Sequence, residues 1–344
     1  MSTTYDALVI LSFGGPEQRE DVIPFLENVL RGRNISRERM LEVAEHYYYF
    51  DGKSPINGQN RALIAALKTE FADSGLDLPI YWGNRNWHPI LADTLREMTN
   101  DGVRNALGFV TSAYSSYSSC RQYLDDIERS RAEVGPEAPE IHKLRAFYNH
   151  PGFIEPMIEN VGKALERFPR ESRATVPLVF TAHSVPASMA ESSRYVEQLE
   201  EACGLVAAGV GRDGGTLVYQ SRSGPPSQPW LGPDICDHLR EIRNDGAGQV
   251  VVMPIGFVSD HMEVLYDLDT QARQVCEEIG LRMERASAVG NHPRFVAMIR
   301  ELVLERLDEK RERRYLGALG PRPDVCAEDC CPRPQRPGVR KPGP

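Results

Sequence analysis

The stretch QVVVMPIGFVSDH (249–261) opens as the centre of a sheet and closes on something else. Val250 to Met253 are apolar without a break, as in a parallel strand covered on both faces. Pro254 and Gly256 then interrupt the run, and Asp260, His261 and Glu263 follow. A strand that had only to pack would have no use for three ionisable groups at its end.

Five other runs share this form. ALVILSFGGP (7–16), LPIYWGNRNW (78–87) and ALGFVTSAYSSYSS (106–119) lie in the first half, and PLVFTAHSVP (177–186) and TLVYQSRSGPP (216–226) in the second. Each ends in a polar loop containing Gly, Pro or clustered Ser, amphipathic helical stretches lie between them, and the order of loop types repeats from one half to the other. The pattern predicts an α/β protein of two similar doubly wound (Rossmann-like) parallel-sheet lobes with a cleft between them. Ligands of such sheets sit outside the carboxyl ends of the strands, where all six loops gather. We expect an N-terminal lobe over residues 1–160, including a lip insertion at 31–60, then a C-terminal lobe over 161–315 and a cysteine-bearing, partly disordered tail over 316–344. Pro16-Glu17 reads as a helix start. Val296, Ile299, Leu302, Val303 and Leu307 predict a closing helix over about 294–314. Beyond Pro321 the chain lacks apolar periodicity and ends PRPQRPGVRKPGP, which predicts disorder.

Composition narrows the function. The 344 residues are 41% hydrophobic and 26% charged, a globular balance, and the net charge of −9 speaks against a nucleic-acid partner. MSTTYDALVILSFGG carries no basic leader, and its apolar run is too short to span a bilayer. Cytoplasmic location without stable membrane insertion is therefore expected. No apolar surface stripe stands out, so a monomer is expected. Nucleotide chemistry is disfavoured: there is no G-x-x-x-x-G-K-[ST], and the G-x-G of DGAGQVVV precedes its strand. Seven cysteines in a chain read as cytoplasmic do not make a disulfide framework. Cys120, Cys203, Cys236 and Cys276 are dispersed, whereas Cys326, Cys330 and Cys331 crowd into DVCAEDCCP. Iron–sulfur clusters and structural zinc both want four ligands, so a metal there would need one from the body. Free thiols on a tail are the alternative.

The groups best suited to chemistry are His183 in TAHS with His261 and Glu263 in DHME. An imidazole and a carboxylate across a cleft can bind a divalent first-row metal or exchange protons near neutral pH. Capping of loops at strand ends is the competing reading. Glu263 and Asp267, four apart, would share one face of a helix. Tyr47, Tyr48, Tyr49 and Phe50 suit either a flat apolar ligand or helix packing, and Arg31 and Arg33 either an anion or solvent. The hydroxyls of SAYSSYSSCRQY (112–123) can serve carboxylates or their own loop.

Taken together, LSFGGPE, HYYYFDGKSPIN, GNRNW, TSAYSSYSSCRQY, FTAHSVP, QSRSGPPSQPWLGPD and PIGFVSDHMEVLYDLD resemble the ferrochelatase family, in family order, from residue 6 to about 310. GNRNW, SSYSSC and the cysteine-bearing tail are most similar to its actinobacterial branch, the coproporphyrin ferrochelatases, metal-inserting lyases of haem biosynthesis. The resemblance implies Fe2+ and coproporphyrin III as substrates, and transient contact with neighbouring haem-pathway enzymes. It implies His183 and Glu263 as catalytic iron ligands facing each other over the porphyrin centre. Ser54, Tyr123 and Arg31 match positions that bind the tetrapyrrole's carboxylates. Asp260 and His261 would support Glu263. Asp267 would belong to an acidic line that departs from the family at Gln271. Cys326, Cys330 and Cys331, with Cys120 as fourth ligand, resemble a [2Fe–2S] site. Phe13 stands where several coproporphyrin enzymes have a tyrosine able to ligate iron. The alternatives are a protoporphyrin IX ferrochelatase, a cobalt chelatase of the same fold, or a two-lobed, non-catalytic binding protein for a small anion.

Overall fold

The computed structural model describes residues 4–32, 35–224 and 227–334. Two parallel four-stranded sheets form its frame, with the same strand order in each. The first comprises β1 (Ala7–Ser12), β2 (Ile80–Asn84), β3 (Asn105–Val110) and β4 (Glu140–Lys143), in the order β2-β1-β3-β4. The second comprises β5 (Leu178–His183), β6 (Thr216–Gln220), β7 (Gln249–Met253) and β8 (Arg282–Arg285), in the order β6-β5-β7-β8. All six apolar runs thus become strands. Two of the four edge strands, β4 and β8, are absent from the sequence reading because EIHK and RMER are short and carry no apolar run.

The first lobe carries helices α1 (Val22–Leu30), α2 (Arg37–Tyr48), α3 (Ile56–Asp73), α4 (Leu91–Asn100) and α5 (Gln122–Val134). Helix α6 (Pro151–Glu166) follows, then α7 (Ala187–Glu191), α8 (Tyr195–Gly209), α9 (Ile235–Asn244), the short α10 (Met262–Val264), α11 (Arg273–Ile279) and α12 (Pro293–Leu307). π-Helical turns at Tyr117–Arg121 and Leu265–Ala272 lead into α5 and α11.

Strand side chains alternate between two cores, as a period of two requires. Leu8 and Ile10 of β1 and Val251 and Met253 of β7 enter one large core with α3, α6, α8 and α12. Ala7, Val9 and Leu11 face an outer core under α4 and α5, and Val250 and Val252 face another under α9 and α11. The two lobes therefore share their central core. The expected division at 160/161 falls inside α6, whose Phe153, Ile154, Met157 and Val161 all belong to it.

Three local expectations need correction. Pro16-Glu17 does not start a helix: a 3-10 turn at Arg19–Asp21 comes first, and α1 begins at Val22. The closing helix stops at Leu307, because DEKRERR offers no apolar face; the chain turns and Arg314 pairs back to Glu301 at 2.8 Å. The tail is also held along its described part, from Leu316 to Arg333, which includes residues beyond Pro321 where disorder was expected. Asn149 donates to the carbonyls of Leu316 (3.2 Å) and Gly320 (2.9 Å), Glu201 accepts from the amides of Ala318 and Leu319, and Asp324 pairs with Arg313. Backbone partners of this kind anchor an irregular segment without apolar periodicity. Residues 335–344 of the tail, and Arg33 in the lip, lie outside the described residues.

Candidate active site

The second sheet supplies the ionisable groups. His183 is the last residue of β5, and its backbone carbonyl accepts from Tyr195 Oη at 3.0 Å. Its Nδ1 lies 2.5 Å from the carbonyl oxygen of Ser184, so Nδ1 carries a proton and Nε2 is left to act. Nε2 is 3.6 Å from Glu263 Oε1. Glu263 is placed by the short turn α10, capped by His261, whose Nδ1 accepts the Glu263 amide at 3.2 Å. The edge of Phe257 holds the His261 ring at 5.0 Å. The loop after β7 comes this close to β5 because residue 256 is glycine: a Cβ there would lie 2.7 Å from Ala182 Cα.

Burial opposes charge on both partners, but the attraction between them prevails. The His183 imidazole is pushed above its ordinary range by Glu263, the Ser184 carbonyl and Asp267, against the desolvation that lowers it. The Glu263 carboxyl, although desolvation raises it, is drawn down to about 2 by His183 and His261. The pair still opens outward: the His183 side chain is 33% exposed and that of Glu263 44%. His261 is pushed downward, chiefly by burial, and stays a neutral acceptor at its cap.

Asp267 stands behind the pair in the π-helical turn. Ser221 Oγ donates to it in a short bond, and Gln220 Nε2 donates to it at 3.3 Å and to the Glu263 carbonyl at 3.2 Å. Burial and the charge of Glu263 raise its carboxyl to about 6. The sequence of TLVYQSRSGPP assigns Gln220 and Ser221 no role; the signal is a pair of polar residues closing an apolar strand. Ser221 has φ +60°, a strained conformation that clusters at functional sites. Gln271, at the departure from the family's acidic line, is exposed.

The lip reaches this wall from the first lobe. His46 stacks on Tyr266 with ring centroids 3.8 Å apart, Gln59 Nε2 donates to the Asp260 carbonyl at 2.8 Å, and burial together with the Glu263 charge raises the Tyr47 phenol. The aromatic run divides its duties: Tyr47 and Tyr48 pack against α1, while Tyr49 is exposed. Phe13 is exposed and meets Phe25 edge-on at 6.2 Å. Asp260 turns to Arg285 (3.0 Å) and the Ala288 amide (3.1 Å). It therefore braces the loop, and the direct support for Glu263 comes from His261.

Two expectations change in detail. His183 and Glu263 are in direct contact rather than apart across an open gap. At 3.6 Å they touch, whereas a ring between them would need roughly 3.5–4.0 Å on each face. The carboxylate-binding candidates are also separately housed. Ser54 is buried beside Gly15, its amide donating to the Pro16 carbonyl at 2.8 Å. Tyr123 is buried under the Arg85 guanidinium, 3.9 Å from its ring centre. Arg31 is exposed at the end of α1 and donates to Asn28 Oδ1 at 2.5 Å. Among the described residues no hydrogen bond joins any of the three to His183 or Glu263.

The tail cysteines do reach the body. Cys330 Sγ and Cys331 Sγ are 3.6 Å apart, and burial with the neighbouring Cys330 raises both the Cys326 and Cys331 thiols. Cys120, buried in the first π-helical turn, is near enough to add to the rise at Cys331. None of the four is in a disulfide. Among the described residues no group of three or more His, Cys, Asp or Glu stands ready to hold a metal ion. No helix among them is long and apolar enough to cross a membrane.

Comparison with known proteins bears on the family and the fold. The chain is 57% identical over 339 residues to a ferrochelatase of Rhodopirellula baltica, covering 97% of this chain and 96% of that one. It is 52% identical to a coproporphyrin III ferrochelatase of Streptomyces griseus (95% and 93% covered) and 51% identical to one of Streptomyces coelicolor (98% and 96%). Among solved structures, SirB from Bacillus subtilis with Fe3+ superposes with a TM-score of 0.51 at 10% identity, over 87% of this chain and 95% of that one. A multi-domain Deinococcus radiodurans protein with structural similarity to chelatases gives 0.51 at 16% identity, over 89% and 55%. Both show the fold alone. The ferrochelatase profile matches residues 5–307, and with relatives this similar across nearly the whole chain, the protein belongs to the ferrochelatase family.

Proposed function

We propose that the chain inserts Fe2+ into coproporphyrin III, giving Fe-coproporphyrin III in haem biosynthesis. One observation carries the chemistry: His183 Nε2 and Glu263 Oε1 lie 3.6 Å apart, and both side chains remain open to solvent. The substrate follows from relatives at about half identity over most of both chains that bear that activity in their names.

The reaction is an exchange without electron transfer: two pyrrole protons leave and one Fe2+ enters. In its deprotonated form His183, with the Nδ1 proton held by the Ser184 carbonyl, presents the Nε2 lone pair to a pyrrole N–H. Proton transfer breaks that N–H bond and forms Nε2–H, and the Glu263 carboxylate stabilises the imidazolium. Asp267, with a carboxyl near 6, is matched to take the proton onward at neutral pH. One imidazole and one carboxylate also make an open, weak set for the incoming iron, unlike the closed four-ligand cages of structural metals. Within this reading Ser54, Tyr123 and Arg31 serve the porphyrin carboxylates.

Cys120, Cys326, Cys330 and Cys331 would hold a [2Fe–2S] cluster. The four thiols are of the right type but are not assembled into a ligand set among the described residues; what supports the reading is their crowding, which makes ionisation costly and which iron would relieve by binding the thiolates. Such a cluster would supply one-electron redox chemistry, which iron insertion does not use. The same reading places a monomer in the cytoplasm, with transient contacts to neighbouring haem-pathway enzymes, and divides the lobes at about residue 160, with the tail from 316. Gel filtration with light scattering checks the monomer. Side-by-side Fe2+ insertion assays with coproporphyrin III and protoporphyrin IX test the activity. Faster turnover of coproporphyrin III is expected, and equal or faster turnover of protoporphyrin IX would move the substrate assignment.

A further inference from the structure

We propose that Tyr117, Asp125 and Arg333 form a clamp that sets the register of the tail, so that its thiols arrive at Cys120. The proposal rests on the cluster reading above for its purpose, though not for its geometry. Arg333 Nη2 donates to Asp125 Oδ2 at 2.7 Å and its Nε donates to Tyr117 Oη at 2.9 Å. Tyr117 Oη donates in turn to Asp125 Oδ2 at 3.0 Å, closing a ring of three partners. A second tie lies on the other side: Arg121 Nη1 donates to the Glu328 carbonyl at 3.5 Å, while its Nε is 3.6 Å from Asp125 Oδ1.

The positions in sequence give these contacts their meaning. Tyr117, Arg121 and Asp125 surround Cys120 on one π-helical turn and the first turn of α5. Glu328 and Arg333 bracket Cys330 and Cys331 on the tail. Both strands of the junction are thus pinned on either side of their sulfur atoms. Without such pins, an irregular segment rich in proline has no hydrogen-bonded ladder to fix which residue lies opposite Cys120. Cys331 also adopts φ +53°, a conformation that a non-glycine residue keeps only when its surroundings hold it. Arg333 works through the thiols it aligns and is a positioning residue.

The test uses the full chain. Arg333 is largely exposed, so Arg333→Ala should fold, and a thermal melt confirms it. Iron and acid-labile sulfide are measured after anaerobic reconstitution. Separately, alkylation of Cys330 and Cys331 by iodoacetamide is followed by mass spectrometry in reduced, iron-free protein, with Cys276 as internal control. We expect Arg333→Ala and Asp125→Ala to lower cluster occupancy at least threefold and to speed tail alkylation at least fivefold, with Cys276 unchanged. Arg333→Lys should retain most of the wild-type occupancy. Occupancy and alkylation within twofold of wild type in both alanine variants would overturn the clamp. Wild-type protein that takes up no iron and sulfide, yet shows the alkylation contrast, would support the clamp while removing the cluster reading.

Discussion

Ser12 and His183 occupy equivalent places in the two lobes. Each is the last residue of the second strand in its sheet, and each stands in register with the last residue of the first: Asn84 for Ser12, Gln220 for His183. In the first lobe this place is sealed. Ser12 is buried and accepts from Asn60 Nδ2 at 2.9 Å, and Asn84 accepts from Trp82 Nε1 at 2.9 Å and donates to Asn57 and to the His88 carbonyl. Asn57 binds the Gly15 carbonyl (3.2 Å) and Glu17 (2.8 Å). In the second lobe the same place is open and ionisable, with Gln220 feeding Asp267 and Glu263. One topology therefore supports two tasks. Neutral amides lock the loops of the first lobe, and titratable groups stand, partly exposed, at the matching ends of the second.

The largest effect expected from this contrast is on rate. Glu263→Gln keeps the shape of the side chain and removes the charge that raises His183, so Fe2+ insertion should fall about 100-fold or more. The His183 resonance should titrate at lower pH by NMR; an unchanged His183 titration would break the pairing. In the first lobe the effect should fall on stability. Asn84→Leu strands the Trp82 indole and the Asn57 amide oxygen in a buried setting, at about 1–3 kcal/mol for each unpaired group. A lower urea midpoint is expected, with the rate per folded molecule within a few-fold of wild type.

A smaller effect concerns pH. Asp267 has its carboxyl raised from an ordinary 3.8 to about 6 in the fold, so between these values the native state binds more protons than the unfolded one. Its contribution therefore makes the metal-free protein lose stability as pH rises from about 4 to about 6. Asp267→Asn should flatten that slope in thermal melts; an unchanged slope would refute the assignment. The smallest effect should come from Phe13→Tyr. Phe13 is partly exposed, so stability should change by less than about 0.5 kcal/mol. The absorption of bound iron porphyrin should shift if the new phenol reaches the metal.

The parallel core was legible because burial on both faces leaves an unbroken apolar run, as in VVVM of β7 and ALVIL of β1. The strands EIHK and RMER were not, since four residues with a single apolar one among them leave no unbroken run. His183 and Glu263 were legible as ionisable groups closing apolar strands. Their direct contact was not, because it depends on Gly256 letting one loop approach β5 and on the Ser184 carbonyl turning the imidazole. Gln220 and Ser221 escaped for a similar reason: an amide and a hydroxyl gain a role only when the fold sets a carboxylate beside them. The described part of the tail, up to Pro334, misled because it lacks apolar periodicity, while its anchors, Asn149, Glu201 and Asp125, lie far away in sequence.

The central claim is that His183, opening from β5 beside Glu263, performs the proton transfer of iron insertion and leaves porphyrin binding to other residues. The direct measurement compares wild type and His183→Ala for coproporphyrin III affinity by fluorescence quenching and for single-turnover Fe2+ insertion. The account predicts affinity within a few-fold and an insertion rate reduced by about 100-fold or more. An insertion rate within a few-fold of wild type, with affinity unchanged, would contradict it.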